Sequence, residues 1–109
     1  MHKLLLLFQT PSDGVQFERR WSEDFVSKAE RLPGVRRVAI SRILGGPAGE
    51  VELHLIHELY FDDREALMRA MASDEGQAAG TCLMTFAGDK VAICFAEHLE
   101  EDRRTSGSS

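Results

Sequence analysis

The stretch EVELHLIHELYF, residues 50–61, alternates at period two. Val51, Leu53, Leu55, His57, Leu59 and Phe61 share one parity; Glu52, His54, Ile56, Glu58 and Tyr60 share the other. Successive side chains of a strand point to opposite faces, so the pattern reads as a strand with one face in a core and a more polar face opposite. Just upstream, GGPAG (45–49) consists of residues that fit inside neither helix nor strand, and VRRVAISRIL (35–44) is rich in β-branched residues. The two runs form a hairpin around the glycine loop. Val38 and Ile40 then fall on the core side of the second strand, and Ala39 and Ser41 on the other.

The rest of the chain wraps this hairpin. KLLLLFQ (3–9) is apolar on both parities and reads as a strand covered on both faces. The turn TPSDG offers Ser12 or Asp13 as cap for a helix over about 15–31, which Pro33-Gly34 stops. Phe17, Trp21, Phe25, Ala29 and Leu32 make its apolar stripe. Asp62-Asp63 caps REALMRAMA, with Leu67 and Met71 packing, and Ser73-Asp74 opens EGQAAGTCLMTFA, a helix weakened by Gly76 and Gly80. Gly88-Asp89 turns the chain into a last strand, KVAICFAE (90–97). The order βαββαβ, with the second helical region split, is that of a ferredoxin-like α+β fold. Right-handed crossovers put strands one and three in the centre of a four-stranded antiparallel sheet. Residues 1–97 form one domain, and 98–109 is a polar tail expected to be disordered.

Helices in this arrangement cover one sheet face only. Strand one carries Leu4, Leu6 and Phe8 on one side and Leu5 and Leu7 on the other, and strand four Val91, Ile93 and Phe95 against Ala92, Cys94 and Ala96, so an apolar face is left with no helix to meet. An uncovered apolar face of this kind marks an interface, and burying a standard ~800 Å² per partner favours pairing. The expected partner is a second copy, two sheets closing face to face into a dimeric α+β barrel. His54, Glu58 and Tyr60, at i, i+4 and i+6 of strand three, are expected to line the enclosed concave surface. A histidine, a carboxylate and a phenol in line can move a proton or orient a polar group of an apolar ligand. Plainer roles compete: His54 hydrogen-bonding at the interface, Glu58 pairing with Arg37 or Arg42, Tyr60 as an anchor, and His57 as a satisfied core histidine.

Charge and composition remove other classes. A net charge of −5 with interspersed signs disfavours nucleic acid. No apolar run reaches the ~18–20 residues that span a bilayer, and the opening HKLLLLFQ lacks a cleavage site. Cys82 and Cys94 have no ligand or disulfide spacing and are expected as reduced, buried thiols of a cytoplasmic protein. His54-x-x-His57 places the two imidazoles on opposite strand faces, so no metal is expected, and no cofactor.

LPGVRR (32–37), ELYFDD (58–63), EAL (65–67) and SDEGQAA (73–79), with Phe86, Gly88 and Ala96-Glu97, resemble the EthD family of the dimeric α+β barrel superfamily, over nearly the whole chain up to Glu97. The resemblance implies a homodimer with a cleft for small organic molecules; wider relatives include polyketide cyclases, cofactor-independent monooxygenases and haem-degrading enzymes. It also implies a first-helix histidine seven residues before the Leu-Pro-Gly turn, where this chain has Phe25. Two functions follow. The first is an accessory protein of catabolism or secondary metabolism that binds a small apolar or aromatic molecule between sheet and helices through Trp21, Phe25, Ser41, Ile56 and Tyr60. The second is a cofactor-independent enzyme of cyclase or monooxygenase type, with His54 as general base and Glu58 or Tyr60 orienting it.

Overall fold

The computed structural model describes residues 1–103. Its elements are β1 (His2–Phe8), α1 (Gly14–Arg20, continued through Trp21–Phe25 and Val26–Glu30), β2 (Arg37–Arg42), β3 (Leu55–Phe61), α2 (Arg64–Ala72), α3 (Asp74–Ala87) and β4 (Val91–Glu97). The sheet is antiparallel in the order β2-β3-β1-β4, the ferredoxin-like arrangement expected, with strands one and three central.

Each helix start has the cap its sequence announced. Asp13 accepts from Gln16 N–H, Asp63 from Ala66 N–H, and Ser73 from Gly76 N–H. The apolar stripe of α1 is buried throughout: Phe17, Trp21, Phe25, Ala29 and Leu32 are all core residues. Their spacing of four would drift about 40° per step on a helix of 3.6 residues per turn. The segment Trp21–Phe25 absorbs that drift as one wider π turn, with Val26 N–H donating to the Trp21 carbonyl five residues back. The stripe thereby stays on the sheet.

Register settles the faces. Leu4, Leu6 and Phe8 of β1 lie opposite Leu59, His57 and Leu55 of β3, and all six are buried under the helices. Val38 and Ile40 pair with Leu59 and His57 on the same side. Leu5, Leu7, Ala39, Ser41, Ile56, Ala92 and Cys94 fall on the open face, which no helix covers.

Four expectations are corrected. The third strand begins at Leu55 rather than Glu50: its ladder with β2 ends at the Arg42–Leu55 pair, and only His54 before it still bonds neighbouring backbone, at Ile43 and Phe8. Residues 43–54 are instead a loop with Gly45 and Gly49 at positive φ, and Val51 is exposed. Cys94 is exposed and Cys82 half-buried, so neither is a buried thiol. The residues just after β4 are not a loose tail: His98 N–H donates to the Met1 carbonyl and its ring packs edge-on against Tyr60 at 4.8 Å. Of the expected tail, 104–109 lies outside the described residues.

Gly76 is where α2 and α3 meet. A Cβ there would collide with the carbonyl oxygens of Ala70 and Met71, whereas one at Gly80 would meet nothing. The helix-weakening glycine at 76 is thus a close-approach residue. Gly76→Ala should destabilise the fold by roughly 1–3 kcal/mol through overpacking, despite alanine's better helix propensity, and urea denaturation checks it. An unchanged or raised midpoint would contradict the close-approach role.

Candidate functional site

Two side-chain groups flank the sheet, one on each face. On the open face, Lys3 Nζ bonds Glu58 Oε1 at 2.6 Å and Tyr60 Oη donates to the same oxygen at 3.1 Å. Glu58 therefore pairs with Lys3, not with a strand-two arginine. Burial raises the Glu58 carboxyl, but the hydrogen bonds from Lys3 and Tyr60 outweigh it and leave it below the usual carboxylate range. Arg37 stacks over the Tyr60 ring at 4.2 Å and reaches Glu100 on the strap after β4. With His98 against its edge, Tyr60 is buried as the centre of a charged corner.

His54 does not join that corner. It precedes β3, its N–H donating to Phe8 and its carbonyl accepting from Ile43, and its ring turns to the helix side. There Nε2 donates to Glu18 Oε2 at 2.7 Å, and the ring packs edge-on against Phe17. Arg42 donates to the same Glu18 oxygen at 2.7 Å and, ahead of His54, holds that carboxyl below its ordinary value. The expected line of His54, Glu58 and Tyr60 is thus broken, because period two fails where the strand does. Only Glu58 and Tyr60 remain together. Glu18, the orienting carboxylate of His54, comes from α1, and no spacing in the sequence links it to residue 54.

The five expected ligand contacts are also divided. Ser41, Ile56 and Tyr60 lie on the open face; Trp21 and Phe25 lie in the helix-side core. Trp21 and Phe25 converge on His57, with ring centroids 5.6 and 5.8 Å from its imidazole. Trp21 Nε1 donates to His57 Nδ1 at 3.2 Å. Indole N–H only donates, so Nδ1 is the acceptor and the proton of the neutral ring sits on Nε2. His57 is 0% exposed, and Nε2 has no partner among the described residues. The imidazole is therefore half-satisfied, a correction to the satisfied core histidine expected, and such an orphan donor costs roughly 1–3 kcal/mol.

Beside Phe25 an apolar cavity of about 60 Å³ lies between sheet and helices, bounded by Leu4, Leu59, Gly76, Gly80 and Leu83 among others. It shares Met71, Gly76, Gly80 and Ile93 with a surface groove of about 690 Å³ between α3 and β4, where Met84 and Ile93 are about half exposed. Gly76 and Gly80, one turn apart, line both; the space beside Gly76 is taken by the Ala70 and Met71 carbonyls, whereas that beside Gly80 is empty. The sequence did show that pair, but read locally it signalled only a weak helix. Among the described residues no helix is long and apolar enough to cross a membrane, and no three His, Cys, Asp or Glu side chains gather as a metal site.

The sequence profile of the EthD domain matches residues 11–87. The crystal structure of an ethyl tert-butyl ether D (EthD) family protein from Bacillus halodurans superimposes with a TM-score of 0.89 at 35% identity, covering 91% of this chain and 99% of that one. An uncharacterized 11.0 kDa protein of the thcB-thcC intergenic region of Rhodococcus erythropolis is 25% identical over 97 residues, 89% of this chain and 94% of its own. SnoaB, a cofactor-independent oxygenase from Streptomyces nogalater, shares the fold with a TM-score of 0.65 at 15% identity, covering 92% and 94%.

Burial holds the His57 imidazole down to about 4 from an ordinary 6.5. The unfolded chain takes up a proton near 6.5 and the folded chain only near 4, so the stability tied to the neutral ring is complete above 6.5. It is lost as pH falls between those values, by at most about 3 kcal/mol. Urea midpoints at pH 7 and 4.5 should differ in the native chain and much less in His57→Phe. Equal slopes in both would remove His57 as the cause.

Proposed function

The chain belongs to the EthD family, and from that premise we propose that it is a homodimer binding a small apolar or aromatic molecule in the groove between α3 and β4. The observation that carries the reading is that the groove and the cavity beside Phe25 are adjacent and share Met71, Gly76, Gly80 and Ile93 as lining residues. The inner cavity, at about 60 Å³, is smaller than the ~300–1,000 Å³ typical of ligand pockets. A ligand therefore lies mainly in the groove, with one small substituent pointing inward. Gly80 lines both spaces, and a Cβ there meets no atom.

The enzyme reading, with His54 as general base, draws on the 2.7 Å contact to Glu18 and on the oxygenase of the same fold. It is the weaker of the two. His54 and Glu18 border a separate open surface depression, also of about 690 Å³, with Ser12, Asp13 and Val15, and share no lining residue with the apolar cavity or the groove.

The dimer reading rests on the open face. Leu5 and Leu7 are half-buried and Ala92 and Cys94 exposed on a sheet surface that the chain's own helices leave bare. Pairing with a second copy removes this surface from water. Light scattering should give twice the chain mass of 12.2 kDa, and Leu7→Arg should return the particle to that mass. A native monomer at micromolar concentration would refute the dimer.

Binding is tested with ethylbenzene as probe and the methyl resonances of Met71 and Met84 as reporters. The native chain should show saturable shifts, and Gly80→Leu, whose Cβ meets no atom, should weaken them at least fivefold while keeping the thermal midpoint. His54→Ala should leave them as they are. Absence of saturable shifts in the native chain would sink the binding reading, and their loss on His54→Ala would favour the catalytic one.

A further inference from the structure

The most unusual polar group in the molecule is His57 Nε2–H. It is buried, it carries the proton because Trp21 occupies Nδ1, and it donates to nothing among the described residues. Buried donors nearly always have partners, and an exception in a packed core calls for a reason. Packing does not supply one. An apolar ring at position 57 would fill the space between Leu6 and Ile40 without an orphaned N–H, while Trp21, its other role, could be met by any acceptor.

The surroundings do supply one. Phe25 lines the small inner cavity on one side and packs perpendicular to the His57 ring on the other, with centroids 5.8 Å apart. It stands in the π turn of α1, where the helical ladder is locally widened. One aromatic side chain thus touches both an apolar cavity the size of a small substituent and the imidazole that carries the unpartnered N–H. A group that displaced the Phe25 ring would come against the His57 imidazole, whose unpartnered nitrogen is a donor, not an acceptor and not a charge.

We infer that His57 is the specificity residue of the groove: its Nε2–H hydrogen-bonds an acceptor oxygen, such as a carbonyl, on an otherwise apolar ligand, with Phe25 as the gate. This rests on the groove being the binding site, and it narrows the ligand class. Hydrocarbons fit the groove but leave the donor orphaned; an aryl ketone satisfies it. A carboxylate is excluded as the favoured head group, because no cation lines the inner cavity and a buried charge without a partner is costly. Protonated donors such as ammonium or amide N–H are disfavoured because they would face N–H with N–H.

Two probes of similar outline separate the possibilities. Acetophenone carries a carbonyl acceptor and no donor; ethylbenzene carries neither. The native chain should bind acetophenone at least tenfold more tightly, the gain roughly expected of one buried neutral hydrogen bond. His57→Phe should bring the two affinities together. Phe25→Leu, a smaller gate, should raise acetophenone affinity more than ethylbenzene affinity. Should His57→Phe not fold, the ¹⁵N resonance of His57 Nε2 in the native chain serves instead: it should move on saturation with acetophenone and stay in place with ethylbenzene. If both probes bind with equal affinity, or the Nε2 resonance ignores bound acetophenone, the role of His57 is overturned while the groove stands. If neither binds, the groove and His57 fall together.

Discussion

The hydrogen bond from Trp21 Nε1 to His57 Nδ1 ties the long helix to the centre of the sheet, and much of the molecule is arranged around it. Both ends are in the core, so neither can trade its partner for water. The bond joins α1 to β3 within a stripe whose other members, Phe17, Phe25 and Ala29, are likewise buried. It also fixes the proton of the imidazole on the far nitrogen. A helix repeating its apolar residues every four positions could not keep this contact and the flanking ones without unwinding slightly, and the π turn at Trp21–Phe25 is that adjustment.

A second constraint is that the helices cover one face of the sheet. The covered face is aromatic and aliphatic, with Phe8, Phe17 and Phe86 in mutual ring contact and Phe25 against Phe86. The bare face is aliphatic along β1 and β4 and closes at one corner in a charged cluster of Lys3, Glu58, Tyr60, Arg37 and the strap bearing His98 and Glu100. The two faces are suited to different tasks. The bare one offers broad apolar area framed by charge. The covered one holds the cavity, because only there do two layers meet with glycines between them.

Much of the architecture was legible along the chain. Caps at Asp13, Asp63 and Ser73, the stop at Pro33-Gly34 and the apolar stripe of α1 are local signals, each set by a few neighbouring residues. The parity of residues 55–61 placed Leu55, His57, Leu59 and Phe61 inward, and they are there. The same parity misplaced His54. Alternation describes a strand only while a neighbouring strand pairs with it, and β2 stops at Arg42. The Lys3–Glu58 pair was missed because it joins residues 55 positions apart. Gly76 and Gly80 were visible but carried the wrong meaning, since propensity counts what a glycine costs its own helix and not what it allows a neighbour to do.

The sequence by itself determined the order of elements, their ends, the family pattern and which side of the central strand is apolar, because these follow from spacing and short-range chemistry. Only the tertiary structure decided which polar groups meet. It paired His54 with Glu18 instead of Tyr60, put the Phe25 ring against His57, and left one nitrogen of that histidine without a partner. The physical reason is that hydrogen bonding and burial depend on distance in space, and elements far apart in sequence come within those distances only when the helices settle on the sheet.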